Sequence, residues 1–134
     1  MILYLIIAFV LLLILIIGIY LRVNCGCIII NRTILKYVGS SANVKIPKKV
    51  ASIGTHAFAE NNRIKTVSIF RGIYISNYAF FNCKNLEKID LIGEMTAIGT
   101  INSGAFSGCS SLKEVPLVLV EVGKEVLSLI LCKL

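Results

Sequence analysis

Apolar and polar positions divide the chain into two parts with different patterns. Residues 1–21 are uncharged and apolar except for Gly18, with Tyr4 and Tyr20 near the two ends of the run. As a helix rising 1.5 Å per residue, such a run spans ~30 Å, the thickness of a bilayer's hydrocarbon core. After it, charged residues recur and short stretches alternate between apolar and polar side chains. The pattern predicts one N-terminal transmembrane helix followed by a β-rich domain.

The apolar run is expected to be an uncleaved membrane anchor. No Lys or Arg precedes it, and it is longer than the apolar core of an ordinary signal peptide. The residues that follow, from Tyr20 to Cys25, contain no small-x-small cleavage pattern and no lipoprotein signature.

The charge next to the run bears on the orientation of the chain in the membrane. Between positions 22 and 49 there is no acidic residue but there are six basic ones: Arg22, Arg32, Lys36, Lys45, Lys48 and Lys49. By the positive-inside rule, this asymmetry places the C-terminal part in the cytoplasm. The same residues could instead attach to an anionic leaflet or form a solvated basic face.

The part of the chain after the run repeats itself. Three Ala-Phe pairs align units of 23, 22 and 26 residues at 44–66, 67–88 and 89–114, with a partial or capping fourth unit at 115–134. Each unit opens with an apolar–polar–apolar triplet, which predicts a short strand with one buried face. The triplets are Val44-Lys45-Ile46, Val67-Ser68-Ile69 and Ile89-Asp90-Leu91. Because one such unit cannot close a core, the units are expected to stack into a solenoid.

A second apolar piece in each unit precedes a turn and the Ala-Phe pair. The predicted pieces are Val50-x-x-Ile53, Ile73-x-Ile75 and Met95-x-x-Ile98, and the turns carry Gly54, Ser76-Asn77 and Gly99. The extra residues of the third unit are assigned to a loop at 100–104. The predicted structural core of the repeats is Ala57, Phe58, Ala79, Phe80, Cys83, Ala105, Phe106 and Cys109.

Three strings, IPKKVASIGTHAFAENNRIKTVSI, AFFNCKNLEKIDL and GAFSGCSSLKEVPL, resemble the BspA-type leucine-rich repeat. The resemblance covers roughly residues 27–117, of which 27–47 resembles the hairpin that precedes such arrays. Together with the apolar run, it predicts an N-terminal transmembrane helix (1–21), a juxtamembrane segment with a capping hairpin (22–43) and a short β-rich leucine-rich repeat solenoid (44–134). The sequence departs from the family pattern because only the first repeat keeps a proline after its strand, Pro47.

The family resemblance also implies a role. Its members are mostly surface proteins with functions in adhesion, and they carry no catalytic residues. Asn61, Cys83 and Cys109 occupy the family position that faces backbone groups of the turn. In such a solenoid, polar residues around the strands line a concave face, which makes these residues the candidates for binding a protein or glycan: Lys65, Thr66, Ser68, Glu87, Lys88, Asp90, Lys113 and Glu114. A merely solvated face is the alternative.

Other chemistry finds little support in the residue patterns. His56 is the only histidine, matches Asn77 of the second unit and has no partner for acid–base catalysis. The five cysteines form no CxxC pair and no zinc spacing, so no metal or cofactor is predicted. The 14 Lys and Arg residues outnumber the 7 Asp and Glu, yet they spread over the repeats without aromatic interleaving, which argues against nucleic acid.

Two regions leave alternatives open. Cys25 and Cys27 follow the apolar run, so they are candidates either for palmitoylation or for small buried side chains of the first strand. Beyond Val115 the Ala-Phe pattern stops, which fits either a closing cap or a truncated product.

The function expected from these patterns is non-catalytic binding or adhesion by a single-pass membrane protein whose repeats lie outside the cell. The first alternative is a cytoplasm-facing scaffold tethered to the membrane, which the charge asymmetry favours. The second is a truncated fragment of a longer surface repeat protein. The sequence carries no prediction of the oligomeric state.

Overall fold

The computed structural model describes residues 1–23, 25–70, 72–93 and 99–113. These residues form one helix and two sheets, three-stranded and four-stranded. In chain order the elements are α1 (Ile2–Val23), β1 (Cys27–Ile30), β2 (Thr33–Tyr37), β3 (Asn43–Lys45), β4 (Ser52–Ile53), β5 (Thr66–Phe70), β6 (Tyr74–Ile75) and β7 (Lys88–Ile92).

Helix α1 begins at the second residue of the predicted apolar run and ends at Val23, two residues beyond the run. Its apolar window is not buried within the described protein, and the segment Ile2–Arg22 is long and apolar enough to cross a membrane. An N-terminal signal sequence meets the same criterion. The helix ends where Cys25 (φ 55°) and Gly26 (φ 78°) take left-handed conformations and the Gly26 N–H donates to the Leu21 carbonyl at 2.7 Å.

The three-stranded sheet contains the opening triplets of the three units. Its strands β3, β5 and β7 are parallel, and Val67 pairs with Val44 on one side and Ile89 on the other. Partners therefore lie 23 and 22 residues apart, the repeat lengths of the sequence. Val44, Val67 and Ile89 are all buried, whereas the residues on either side of each one within its strand are more exposed. The predicted strands are therefore confirmed.

The four-stranded sheet begins with a hairpin. Strands β1 and β2 pair antiparallel, and β2 then pairs in parallel with β4, which pairs with β6. Ile101, which lies outside the named strands, extends this sheet through a parallel bridge to Ile75. Strand β2 of the hairpin therefore provides the edge with which the second apolar piece of the first repeat pairs, and the pieces of the later repeats follow in order.

The bridge to Ile101 corrects the alignment of the third unit. Ile101, and not Ile98, is the counterpart of Ile75, and Asn102 rather than Gly99 takes the turn position of Gly54. Ile101 lies nine positions after Ile92, whereas Ile75 lies five positions after Phe70, the counterpart of Ile92. The extra residues thus fall between Ile92 and Gly99. The loop expected at 100–104 is wrong, since Ile101 and Gly104 are buried within the stack. Met95 and Ile98 lie outside the described residues.

The core between the sheets contains a column of aromatic rings. Phe58 and Phe80 stack at a centroid distance of 4.8 Å, and Phe80 stacks on Phe106 at 5.3 Å. Tyr37 of the hairpin extends the column, 5.0 Å from Phe58. The backbone follows the same order, because the N–H of each of Tyr37, Phe58 and Phe80 donates at 2.8 Å to an alanine carbonyl of the next turn. The hairpin thus covers the first repeat with a ring of its own.

Candidate binding face of the three-stranded sheet

The turns behind the sheet hold the cysteines at their predicted repeat position. The Cys83 thiol donates to the Phe58 carbonyl at 3.0 Å, and the Cys109 thiol donates to the Phe80 carbonyl at 3.1 Å. Each thiol thereby links its own turn to the preceding Ala-Phe pair. Asn61 acts differently, since its Oδ1 accepts from two backbone N–H groups of its own turn. The two cysteines stabilise the stack through contacts between repeats.

The two cysteines after the helix have different environments. Cys27 is fully buried, whereas Cys25 is exposed. Burial, with a smaller contribution from Cys25, raises the pKa of Cys27 from 9.0 to about 12. Cys27 is therefore the small buried side chain of the first strand, and Cys25 alone remains accessible to a modifying group.

This difference predicts selective thiol labelling of the full chain in detergent. In a Cys132→Ser background, an alkylating reagent at pH 8 should modify Cys25 and leave Cys27, Cys83 and Cys109 unmodified until the domain unfolds. Hydrogen bonding to Cys109 lowers the pKa of Cys83 while burial raises it, so access decides its reactivity. Mass spectrometry counts the labels, and the Cys25→Ser variant should take none in the native state. Equal labelling rates for Cys25 and Cys27 would contradict the assignment.

Four of the candidate binding residues, all on strands β5 and β7, lie on an outward face of the three-stranded sheet: Thr66, Ser68, Lys88 and Asp90. Because side chains alternate along a strand, the residues flanking Val67 point away from the core. The ladder aligns them in two rows that cross the strands, and neighbours within a row lie ~4.8 Å apart. The rows are Asn43–Thr66–Lys88 and Lys45–Ser68–Asp90. We call these six residues the polar sheet face.

Charged side chains border and cross the polar sheet face. Lys88 Nζ lies 2.7 Å from Asp90 Oδ1, so opposite charges from both rows pair within β7. Ahead of the strands, Lys65, Glu87 and Lys113 are aligned by backbone hydrogen bonds from the Glu87 N–H to the Lys65 carbonyl (2.8 Å) and from the Lys113 N–H to the Glu87 carbonyl (3.4 Å). Lys65 Nζ and Glu87 Oε1 are 3.9 Å apart. Both ion pairs are exposed, so they contribute little to stability and stay available to a partner.

The structure adds two residues to the predicted set. Asn43 and Lys45 share the rows of the other four strand residues, although the sequence reasoning omitted both. The triplet Val44-Lys45-Ile46 carried the signal for Lys45, because its middle residue corresponds to Ser68 and Asp90. Asn43 precedes its triplet as Thr66 and Lys88 precede theirs, so the repeat alignment carried a signal for it as well, and the strand pairing confirms the position. Glu114 lies outside the described residues.

His56 lies on an exposed turn, where its ring contacts aromatic side chains of the next repeat. Its repeat counterpart is Tyr78 and not Asn77, because both residues precede an Ala-Phe pair and both have a φ of 54°. Their rings stack with centroids 5.6 Å apart, and Phe81 packs edge-on against both. Across the described ranges, no group of three or more His, Cys, Asp or Glu residues could hold a metal ion.

The family model of the BspA-type leucine-rich repeat region, built from six copies of the repeat, matches residues 28–128. The chain belongs to the BspA-type leucine-rich repeat family. The match begins in the β1–β2 hairpin and passes Val115, where the sequence pattern had become unrecognisable. No curated protein shows significant similarity to the chain.

Two solved structures share the leucine-rich repeat fold of this BspA-type protein. One is a leucine-rich cell surface protein from Faecalibacterium prausnitzii, with a TM-score of 0.53 and 27% identity over 63% of this chain and 26% of that chain. The other is a leucine-rich repeat protein from Bacteroides capillosus, with a TM-score of 0.57 and 24% identity over 74% of this chain and 88% of that chain. The BspA-type chain thus spans about a quarter of the F. prausnitzii protein. Family and fold together indicate a protein-binding role.

Proposed function

We propose that this protein is a membrane-anchored, non-catalytic recognition module at the cell surface. Helix α1 anchors it as a single span, and the polar sheet face binds a protein or a glycan. The observation that carries the proposal is the arrangement of six polar side chains in two registered rows on the solvent side of a parallel sheet. The cell-surface description of the F. prausnitzii protein supports the location.

The polar sheet face has the physical properties of a recognition surface. Its strands are fixed by hydrogen bonds on both sides of β5, so the side chains are held in position before a partner arrives. Both charge signs and uncharged amide and hydroxyl groups occur within a few ångströms, which favours a polar partner with alternating charge or hydroxyl groups. Val67 and Ile69 are buried behind the face, so β5 is packed against the core on its other side.

The domain division follows from the same proposal. We assign the anchor to 1–21, the juxtamembrane segment with the hairpin to 22–43 and the repeats to 44–134. A scaffold on the cytoplasmic side is the second candidate, favoured by the basic residues that follow the helix without any acidic one before Glu60. A fragment of a longer surface protein is the third.

Membrane topology separates the first two candidates. A phosphatase reporter fused after Leu134, active only outside the cytoplasm, is expected to be active in cells that express the full chain. A reporter that is active only in the cytoplasm, placed at the same position, is the matched control and should stay silent. The reverse pattern would show that the basic residues control the orientation and would replace surface recognition with the scaffold.

A charge reversal on the polar sheet face tests the binding surface itself. The full chain in nanodiscs, applied to arrays of glycans and of surface proteins, should bind a subset of spots. The Asp90→Lys variant should weaken that binding about tenfold or more, since it breaks the pair with Lys88 and inverts the local charge. Glu60→Lys makes the same charge change on an exposed turn outside the face and should leave binding unchanged. Equal losses in both variants would exclude the face as the binding surface.

A further inference from the structure

The hairpin β1–β2 lies beside the end of the helix and not beyond it. The Tyr20 hydroxyl donates to the Ile29 carbonyl at 2.8 Å. Side chains on a helix tilt toward its N-terminus, so this hydroxyl reaches back from the helix end toward the apolar run. The Gly26 N–H bonds to the Leu21 carbonyl, so the hairpin starts directly at the end of α1. The hairpin turn follows Ile29 by two residues and therefore lies near the depth of Tyr20, close to the membrane interface when α1 is inserted.

The turn of this hairpin combines apolar and basic side chains. Asn31 (φ 47°) and Arg32 (φ 62°) form a two-residue turn of the type that favours left-handed residues. Ile30, just before the turn, keeps 53% of its surface exposed. The Arg32 Nε donates to the Lys49 carbonyl at 3.1 Å, which brings a second exposed basic residue beside the first. We call Ile30, Asn31, Arg32 and Lys49 the hairpin tip.

We propose that the hairpin tip docks on the anionic lipid headgroups of the bilayer that holds α1. This proposal rests on the anchored state of the proposed function. An exposed aliphatic side chain beside two cations fits the boundary between headgroups and acyl chains, where Tyr20 also stands as an interfacial aromatic. The contact would fix the tilt of the repeats and leave the polar sheet face, built on the other sheet, open to its partner.

The charge of the lipid headgroups makes the hairpin tip bind anionic bilayers more strongly than zwitterionic ones. Each basic side chain close to an anionic surface raises the docked population about fivefold at low ionic strength. Reversing the charge of Arg32 and Lys49 together should therefore release the tip, while α1 stays inserted. High salt should weaken docking in the same direction, because the contact is made at the exposed surface.

Tryptophan quenching tests the contact, since the chain contains no tryptophan of its own. The Ile30→Trp variant of the full chain is reconstituted in vesicles of zwitterionic lipid with or without phosphatidylglycerol, containing brominated acyl chains. Its emission should be quenched more strongly, and shifted to shorter wavelength, in the anionic vesicles. Val38→Trp is the matched control, because Val38 is 50% exposed at the opposite end of the same hairpin. It should be quenched weakly in both vesicles.

Adding Arg32→Glu and Lys49→Glu to the Ile30→Trp variant should reduce its quenching to that of Val38→Trp. Carbonate extraction of the same vesicles measures insertion of α1 independently. If α1 is inserted but the two tryptophan variants are quenched equally, or if charge reversal changes nothing, the docking proposal is wrong and the anchor stands. If α1 is extracted by carbonate, the anchored state of the proposed function fails and the docking proposal fails with it.

Discussion

Replacing Phe80 by alanine is expected to lower the free energy of unfolding by about 3–5 kcal/mol. The Phe80 ring is fully buried and stacks on Phe58 at 4.8 Å and on Phe106 at 5.3 Å. Its removal opens a cavity between two repeats and interrupts the aromatic column. Neighbouring turns are held by backbone hydrogen bonds on both sides, so they can collapse only partly into the space.

Urea unfolding of the full chain in detergent, followed by near-ultraviolet circular dichroism, measures this loss. The adjacent Phe81 provides the control, because it is half-buried and packs edge-on against His56 and Tyr78 outside the column. Phe81→Ala should cost clearly less than Phe80→Ala. Equal costs would mean that the column contributes no more than ordinary half-buried contacts.

An aspartate at Val67 is expected to destabilise the domain by about 3–5 kcal/mol, the cost of a buried charge without a partner. Val67 is fully buried in β5, between Val44 and Ile89 of the two neighbouring strands. Its two described neighbours in this buried row, Val44 and Ile89, carry no charge that could pair with the aspartate. Since a small domain is stable by only about 5–15 kcal/mol, the variant should lose a large part of its folded population.

The neighbouring residue provides the matched control for this charge. Ser68→Asp introduces the same group one position along the strand, on the polar sheet face, between Lys45 and Asp90. One attractive and one repulsive neighbour should leave the free energy of unfolding within about 0.5 kcal/mol of the parent. Similar losses at both positions would show that β5 does not alternate between a buried and an exposed side.

Much of the fold could be predicted because its signals are local. The uncharged run predicted α1, and the period-two alternation at Val44, Val67 and Ile89 predicted the strands that the pairing confirms. The Ala-Phe pairs marked the turns that carry Phe58 and Phe80. These patterns depend on what each residue must bury, so they can be read without knowing its neighbours in space.

The third unit shows why other features could not be predicted. The sequence offered two candidates to follow Ile75: Ile98, whose Ile-Gly dipeptide repeats Ile53-Gly54, and Ile101, which lies four residues before Ala105 as Ile75 does before Ala79. The bridge to Ile75 selects Ile101, and hydrogen bonds to the neighbouring turn place Asn102 where Gly54 stands. An insertion is positioned by the adjacent repeat, which holds the chain in register on either side of it.

The candidate binding face divides in the same way. The outward side chains of Ser68 and Asp90 follow from alternation within their own strands, whereas the alignment of Asn43, Thr66 and Lys88 in one row is fixed by the pairing of three strands. The difference between exposed Cys25 and buried Cys27 likewise depends on where the helix ends and the hairpin begins.

The sequence by itself determined the apolar helix, the repeat length, the strand alternation and the family of this protein. Each of these is recorded in local spacing, since hydrophobic burial acts on every unit in the same way. Only the tertiary structure decided the register of the third unit, the rows of the polar sheet face and the Tyr37 ring that completes the aromatic column. These features depend on hydrogen bonds and ring contacts between residues more than 20 positions apart, and such contacts exist only once the repeats have stacked.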